Sequence, residues 1–285
     1  MATTHAYNQN PSMIPYHSFG GEGEVVHFAH ANGYPPEAYK QLLDPVTQEY
    51  QVIGMMQRPL WEDSDYTVVR DWHMLADDLI LFLDAHSMKD IVGIGHSLGG
   101  VVSVLAADKR PDLFKKLILI EPVIFPKLMT SINHLMPMFL RKKYVPVAKV
   151  ALNRRDHWDT EQEIFDSYRK KRIFSLLSDE TIWDWIRAGI VRDKEGGVTL
   201  RFTKQWEAHI YATVTNVLDA LDRLKMPFFI MRGEKTNVIS DNTWSKLHKK
   251  FSDKHLIEYK NTTHLLPLEK PALLAKDIQN IINNN

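Results

Sequence analysis

The chain contains no cysteine. Disulfides, thiolate metal sites and a cysteine nucleophile are excluded at once, although the redox compartment stays open. Net charge is also missing: Lys+Arg and Asp+Glu both number 35. Such a balance supplies no long-range field to draw nucleic acid or an anionic membrane. No apolar run approaches the ~20 residues of a transmembrane helix. The opening "MATTHAYNQNPSMIPYHSFGG" lacks the apolar stretch of a signal peptide. Internal repeats are absent as well. These gaps set the expectation of a cytoplasmic protein, monomer or homodimer, with no nucleic-acid partner and no membrane span.

What is present is ordinary for a globular protein. The 285 residues, 44% of them hydrophobic, fill one large α/β domain or two small ones. Two basic runs, "LRKKY" (140–144) and "NRRD" (153–156), read as solvated helix faces. Short apolar runs alternate with helical patterns: "EVVHFA", "QVIGMM", "DIVGIG" and "KKLILI" as strands, "PPEAYKQLLDPVTQEY" and "DWHMLADDLILFLDAH" as helices. Continuous apolar strands separated by helices indicate a parallel sheet covered on both faces. From 125 to 222 helical stretches dominate, with Trp158, Trp183, Trp185 and Trp206 among them, and Met129, Met136 and Met138. The alternation resumes with "PFFIMRGE", "NTWSKLHKKF", "HLIEYK" and "EKPALLAKDIQNII".

The central motif is "GIGHSLGG" (93–100). Gly95-His96-Ser97-Leu98-Gly99 fits G-x-S-x-G, a turn tight enough to strain the serine backbone. Its setting, strand before and helix after, presents Ser97 Oγ at a helix N-terminus, where negative charge is favoured. The same glycines satisfy a dinucleotide-binding variant, with Glu121 as the acidic residue about twenty positions on. That alternative normally occupies the first strand of its domain, and it leaves His264 without a part.

Thirteen histidines are available. His264 stands out because "YKNTTHLLPLEKP" joins the last strand to the last helix, on the sheet edge that carries Ser97. "FAHANGYP" (28–35) ends a strand in a small-residue turn. Such a turn suits a backbone N–H near Asn32 as one oxyanion donor, with Leu98 N–H as the second. His30 then has either a place in that turn or a purely structural one. His27 and His30 make no metal pair, since strand residues three apart face opposite ways.

In order, "HANG", "GHSLGG", "RGE…NVIS" and "TTHLLPLEKP" resemble an α/β-hydrolase of the lidded serine esterase-like branch, from Val25 onward. The resemblance implies an α/β fold with a mostly parallel central sheet flanked by helices. It also implies a helical lid inserted after the strand ending at Glu121. The core would comprise 1–124 and 223–285, and the lid 125–222. In such relatives the loop after "FFIMRGE" carries the acid that orients the histidine, yet here Asn237 occupies that position. An amide there costs roughly 10⁴-fold in a serine protease. Glu234 lies three residues too early in the loop. Glu121 is the better substitute, because some relatives, certain haloalkane dehalogenases among them, place their acid at this strand end.

The expectation is therefore a serine hydrolase with Ser97, His264 and Glu121 as catalytic residues, acting on small to medium apolar esters. A serine in place of aspartate at the nucleophile argues against dehalogenase and epoxide hydrolase chemistry. Thioesterase, lactonase and C–C bond hydrolase activities stay open, as does a catalytically impaired small-molecule binder because of Asn237. Dinucleotide-dependent chemistry is a distant alternative, and no cofactor or metal is implied. His96, Trp61, Glu207 and Tyr211 are candidate pocket residues.

Overall fold

A computed structural model describes residues 10–251 and 255–284. Seven strands form one sheet in the order β1-β3-β2-β4-β5-β9-β10. They are β1 (Tyr16–Gly20), β2 (Val25–Ala29), β3 (Gln51–Met55), β4 (Ile91–His96), β5 (Phe114–Ile120), β9 (Phe228–Gly233) and β10 (Leu256–Tyr259). Every neighbouring pair is parallel except β1 with β3. The apolar runs explain the centre of the sheet: all six residues of β4 are buried, and six of the seven in β5. Strands buried on both faces need apolar side chains at successive positions, not alternate ones.

Helices cover both faces. Leu75, Leu79 and Phe82 of the helix His73–Ala85 join Val101 and Leu105 of the helix Leu98–Lys109 in one core. On the opposite face Leu274 and Ile278, from the helix Pro271–Asn283, pack with Val26, Ile94 and Ile118. A buried ion pair anchors the first layer, Arg58 Nε and Nη2 lying 2.5 and 2.7 Å from the two Asp78 oxygens.

Three departures from the sequence reading have local causes. β1 is an edge strand with mixed exposure, so it carries no continuous apolar run. The segment expected as one helix before β3 is broken into the turns Pro36–Tyr39 and Val46–Gln48 around Lys40–Leu43. Pro45, which has no N–H to donate, sits at the break. The insertion between β5 and β9 is not wholly helical either. It holds a small antiparallel sheet of β6 (His157–Trp158), β7 (Ile190–Arg192) and β8 (Val198–Leu200), ordered β6-β8-β7. Gly196 and Gly197, both at positive φ, turn the chain between β7 and β8. A side chain on Gly197 would meet the Trp158 carbonyl at 2.4 Å.

Candidate active site

The parallel strands end on one edge, and the loops leaving β2, β4, β5, β9 and β10 meet there. Ser97 follows β4 directly, with φ 54° and ψ −115°, and opens the helix Leu98–Lys109. Backbone angles of this kind cost about 1–3 kcal/mol in an L-residue. The neighbouring glycines make the turn possible. A Cβ on Gly95 would sit 2.5 Å from Gly99 O, and one on Gly99 only 2.0 Å from Ala29 O. The helix therefore presses on the end of β2 as closely as two backbones can.

His264 bridges two of the residues expected with it. Its Nε2 is 3.0 Å from Ser97 Oγ, and its Nδ1 is 3.1 Å from Glu121 Oε2. A carboxylate only accepts, so the proton belongs on Nδ1 and the Nε2 lone pair faces the serine hydroxyl. Glu121 is fully buried and accepts two further hydrogen bonds, from Gly233 N and from the Thr236 hydroxyl, both 2.6 Å. Its own φ is 49°, and its N–H donates to Met231 O at 2.8 Å. The acid thus stands in a mould made largely by the loop after β9.

Asn237 has no part in this arrangement. It is exposed, while its neighbour Thr236 turns inward to Glu121. The residue of this loop that serves the acid is Thr236, and its hydroxyl, one position before the missing carboxylate, is the signal the sequence carries. Glu234 turns to the surface, where it accepts from Lys260 Nζ (3.0 Å) and Asn261 N (2.9 Å).

His96 lies beneath this group, at the edge of the cavity described below. It is fully buried, and desolvation, followed by the neighbouring His264, keeps it well below the usual imidazole range and hence neutral. Because a carbonyl only accepts, His96 Nε2 donates to His264 O at 2.9 Å. Its Nδ1 therefore accepts from the Tyr39 hydroxyl at 2.7 Å, which itself accepts from Ala31 N at 3.3 Å. A directed chain of hydrogen bonds ties the "HANG" turn to the His264 backbone. The His264 loop is held from its other side by Glu269, which accepts from both the Thr263 N–H (2.8 Å) and its hydroxyl.

His30 is structural: its Nδ1 donates to Ala31 O and its Nε2 accepts from Gln57 N, at 2.9 and 3.0 Å. Burial holds it down at about 4 and His27 at about 3. In the same turn Gly33 takes φ 80°, and the Asn32 side chain donates to Glu207 O at 3.0 Å. Among the described residues, no acceptor takes the backbone N–H of Asn32 or Leu98.

Above Ser97 and His264 lies a cavity of about 390 Å³. Of the candidate pocket residues, His96, Glu207 and Tyr211 border it, and so does Asn32. Trp61 does not. Its indole N–H donates to Met56 O at 2.5 Å and its ring packs against the Arg58 guanidinium, inside the core. Of the insertion's tryptophans only Trp185 reaches the cavity, and none of Met129, Met136 and Met138 does. The remaining wall includes Tyr168, Phe174 and Val150. It is not purely apolar, however. Arg154, from the run "NRRD" read as a solvated face, enters the cavity and pairs with Glu207 at 2.6 Å. Lys171 borders it too, with its ammonium 3.3 Å from the Tyr168 ring centre. Burial raises the Glu207 carboxyl, with Arg154 and Lys171 opposing, and burial lowers Lys171.

Among the described residues no cluster of three or more His, Asp or Glu could hold a metal, and no helix is long and apolar enough to cross a membrane.

A mostly parallel, doubly covered sheet with a nucleophile-elbow serine after β4 is the α/β-hydrolase fold. The family model for serine aminopeptidase, S33 (Hydrolase_4), matches residues 61–271, and the chain belongs to that family of α/β-hydrolases. It is 21% identical to the uncharacterised hydrolase YugF of Bacillus subtilis, over 95% of this chain and 99% of that one. With human monoglyceride lipase it shares 25% identity, over 87% of this chain and 78% of the other. The crystal structure of E-2-(acetamidomethylene)succinate hydrolase superposes with a TM-score of 0.77 at 18% identity, covering 94% of both chains.

Proposed function

We propose that this hydrolase is a serine esterase that cleaves carboxylic esters through an acyl-enzyme on Ser97. One observation carries the reading: Ser97, His264 and Glu121 form a continuous hydrogen-bonded line at the floor of the cavity. In this mechanism Ser97 Oγ attacks the ester carbonyl carbon while its proton passes to His264 Nε2. Glu121 stabilises the resulting imidazolium through Nδ1–H. The tetrahedral oxyanion takes hydrogen bonds from Leu98 N–H and Asn32 N–H. Collapse expels the alcohol, which carries away the proton from Nε2. Water then attacks the acyl carbon, His264 accepts its proton, and the acid leaves with Ser97 restored.

The insertion, residues 125–222, acts as a lid on the core formed by 1–124 and 223–285. In support, Arg154, Trp185 and Tyr211 of the insertion border the same cavity as Ser97. The aromatic and aliphatic part of the wall suits an ester with an apolar portion. A binding-only role would rest on Asn237, and that side chain is exposed, while the His264 ring bonds Glu121 and Ser97.

The test is labelling of the intact protein with a fluorophosphonate, read by mass. A single adduct, lost in Ser97→Ala, is expected. Absence of an adduct under conditions that label a control serine hydrolase would overturn the reading.

A further inference from the structure

Three charged side chains in the cavity have no task in ester hydrolysis as such. Arg154 pairs with Glu207 through Nη1 at 2.6 Å, and its Nη2 donates to Phe202 O at 3.4 Å. Arg154 Nε is buried without a hydrogen-bond acceptor. Lys171 pairs with no carboxylate among the described residues and rests on the Tyr168 ring. Two cations against one carboxylate leave the wall with a surplus positive charge. Both cations border the space above Ser97, beside the apolar side chains of Phe174 and Trp185, where an arriving anion would meet that surplus.

We propose that Arg154 and Lys171 form a subsite for a carboxylate borne by the substrate, so that the natural ester is a monoanion. The proposal rests on the serine-esterase reading for its second half only: anion binding stands or falls separately. The position favours recognition of the substrate itself over a remote effector. The Glu207 carboxylate lies over the oxyanion turn, where a Cβ on Gly33 would be 3.6 Å from Glu207 Cδ. The charged cluster and the ester carbonyl site therefore share one wall of the same 390 Å³ space. Arg154 gives the wall a fixed guanidinium charge, and Lys171 adds a mobile point charge with three donors. Glu207 holds the guanidinium and keeps the cluster from carrying two uncompensated charges, which matches it to a singly charged ligand.

The experiment measures equilibrium binding to the Ser97→Ala protein, so that turnover does not intervene. The probes are 4-acetoxybenzoate and its uncharged isostere 4-tolyl acetate, with monophenyl glutarate and phenyl pentanoate placing the charge on the acyl side instead. In at least one pair the anion is expected to bind tenfold or more tightly, with a preference that weakens as salt rises. Lys171→Met in the Ser97→Ala background should cut that preference at least fivefold, and Lys171→Arg should restore most of it. Glu207→Gln should increase the preference, because it removes the competing carboxylate. Equal affinities for both members of both pairs would overturn the proposal, as would a preference insensitive to Lys171→Met. If the anions bind preferentially but the Ser97 protein hydrolyses none of the four, the subsite stands and the esterase reading fails.

Discussion

The sheet and the insertion obey different rules. In the sheet, β4 and β5 are covered on both faces, and the residues that follow them inherit their positions from buried neighbours. Ser97 has one available geometry because Gly95 and Gly99 touch backbone. Glu121 has three hydrogen-bond donors around it. The insertion is built with more latitude. Leu135 is 85% exposed, Phe139 and Val150 each 70%. Its contribution to the cavity comes from single side chains on separate helices and turns, such as Arg154, Lys171 and Trp185. The proposed chemistry falls in the constrained region, and the proposed choice of substrate in the permissive one.

Substitutions separate the two regions by the size of their effects. His264→Ala should lower kcat by on the order of 10⁶ with an unchanged melting curve, measured on an uncharged nitrophenyl ester. Breaking the buried Arg58–Asp78 pair by Arg58→Ala should cost about 3–5 kcal/mol, since it strands a carboxylate in the core; a urea titration reads this directly. Thr236→Val removes one donor from Glu121 and should lower kcat roughly tenfold with little change in KM. At the small end, Leu135→Ser on the insertion surface should change stability by less than about 0.5 kcal/mol. A large loss there would show that the exposed apolar face is packed in solution and would erase the contrast between the regions.

The contrast also explains what was legible in the sequence. Apolar strands, the G-x-S-x-G turn and the loop holding His264 are local patterns with a single structural outcome, and each appeared as read. Glu121 was named from the resemblance, since some relatives place their acid at this strand end, and its carboxylate lies 3.1 Å from His264 Nδ1. Trp61 was misplaced because a tryptophan after a strand serves the core or the site equally well, and only packing on Arg58 decides. Arg154 was hidden because "NRRD" has the composition of a solvated face; its inward turn depends on Glu207, 53 positions away in the chain. The β6–β8 sheet escaped because strands of two and three residues carry no period. Its one signal was the Gly196–Gly197 turn.

The central claim is that the end of β5, and not the loop after β9, supplies the acid that orients His264. The direct measurement is kcat for Glu121→Gln and Asn237→Ala, side by side on one uncharged nitrophenyl ester. Glu121→Gln should fall by roughly 10⁴-fold, while Asn237→Ala stays within about twofold of the parent, as expected of an exposed loop residue. Near-normal turnover in Glu121→Gln, with collapse in Asn237→Ala, would contradict it.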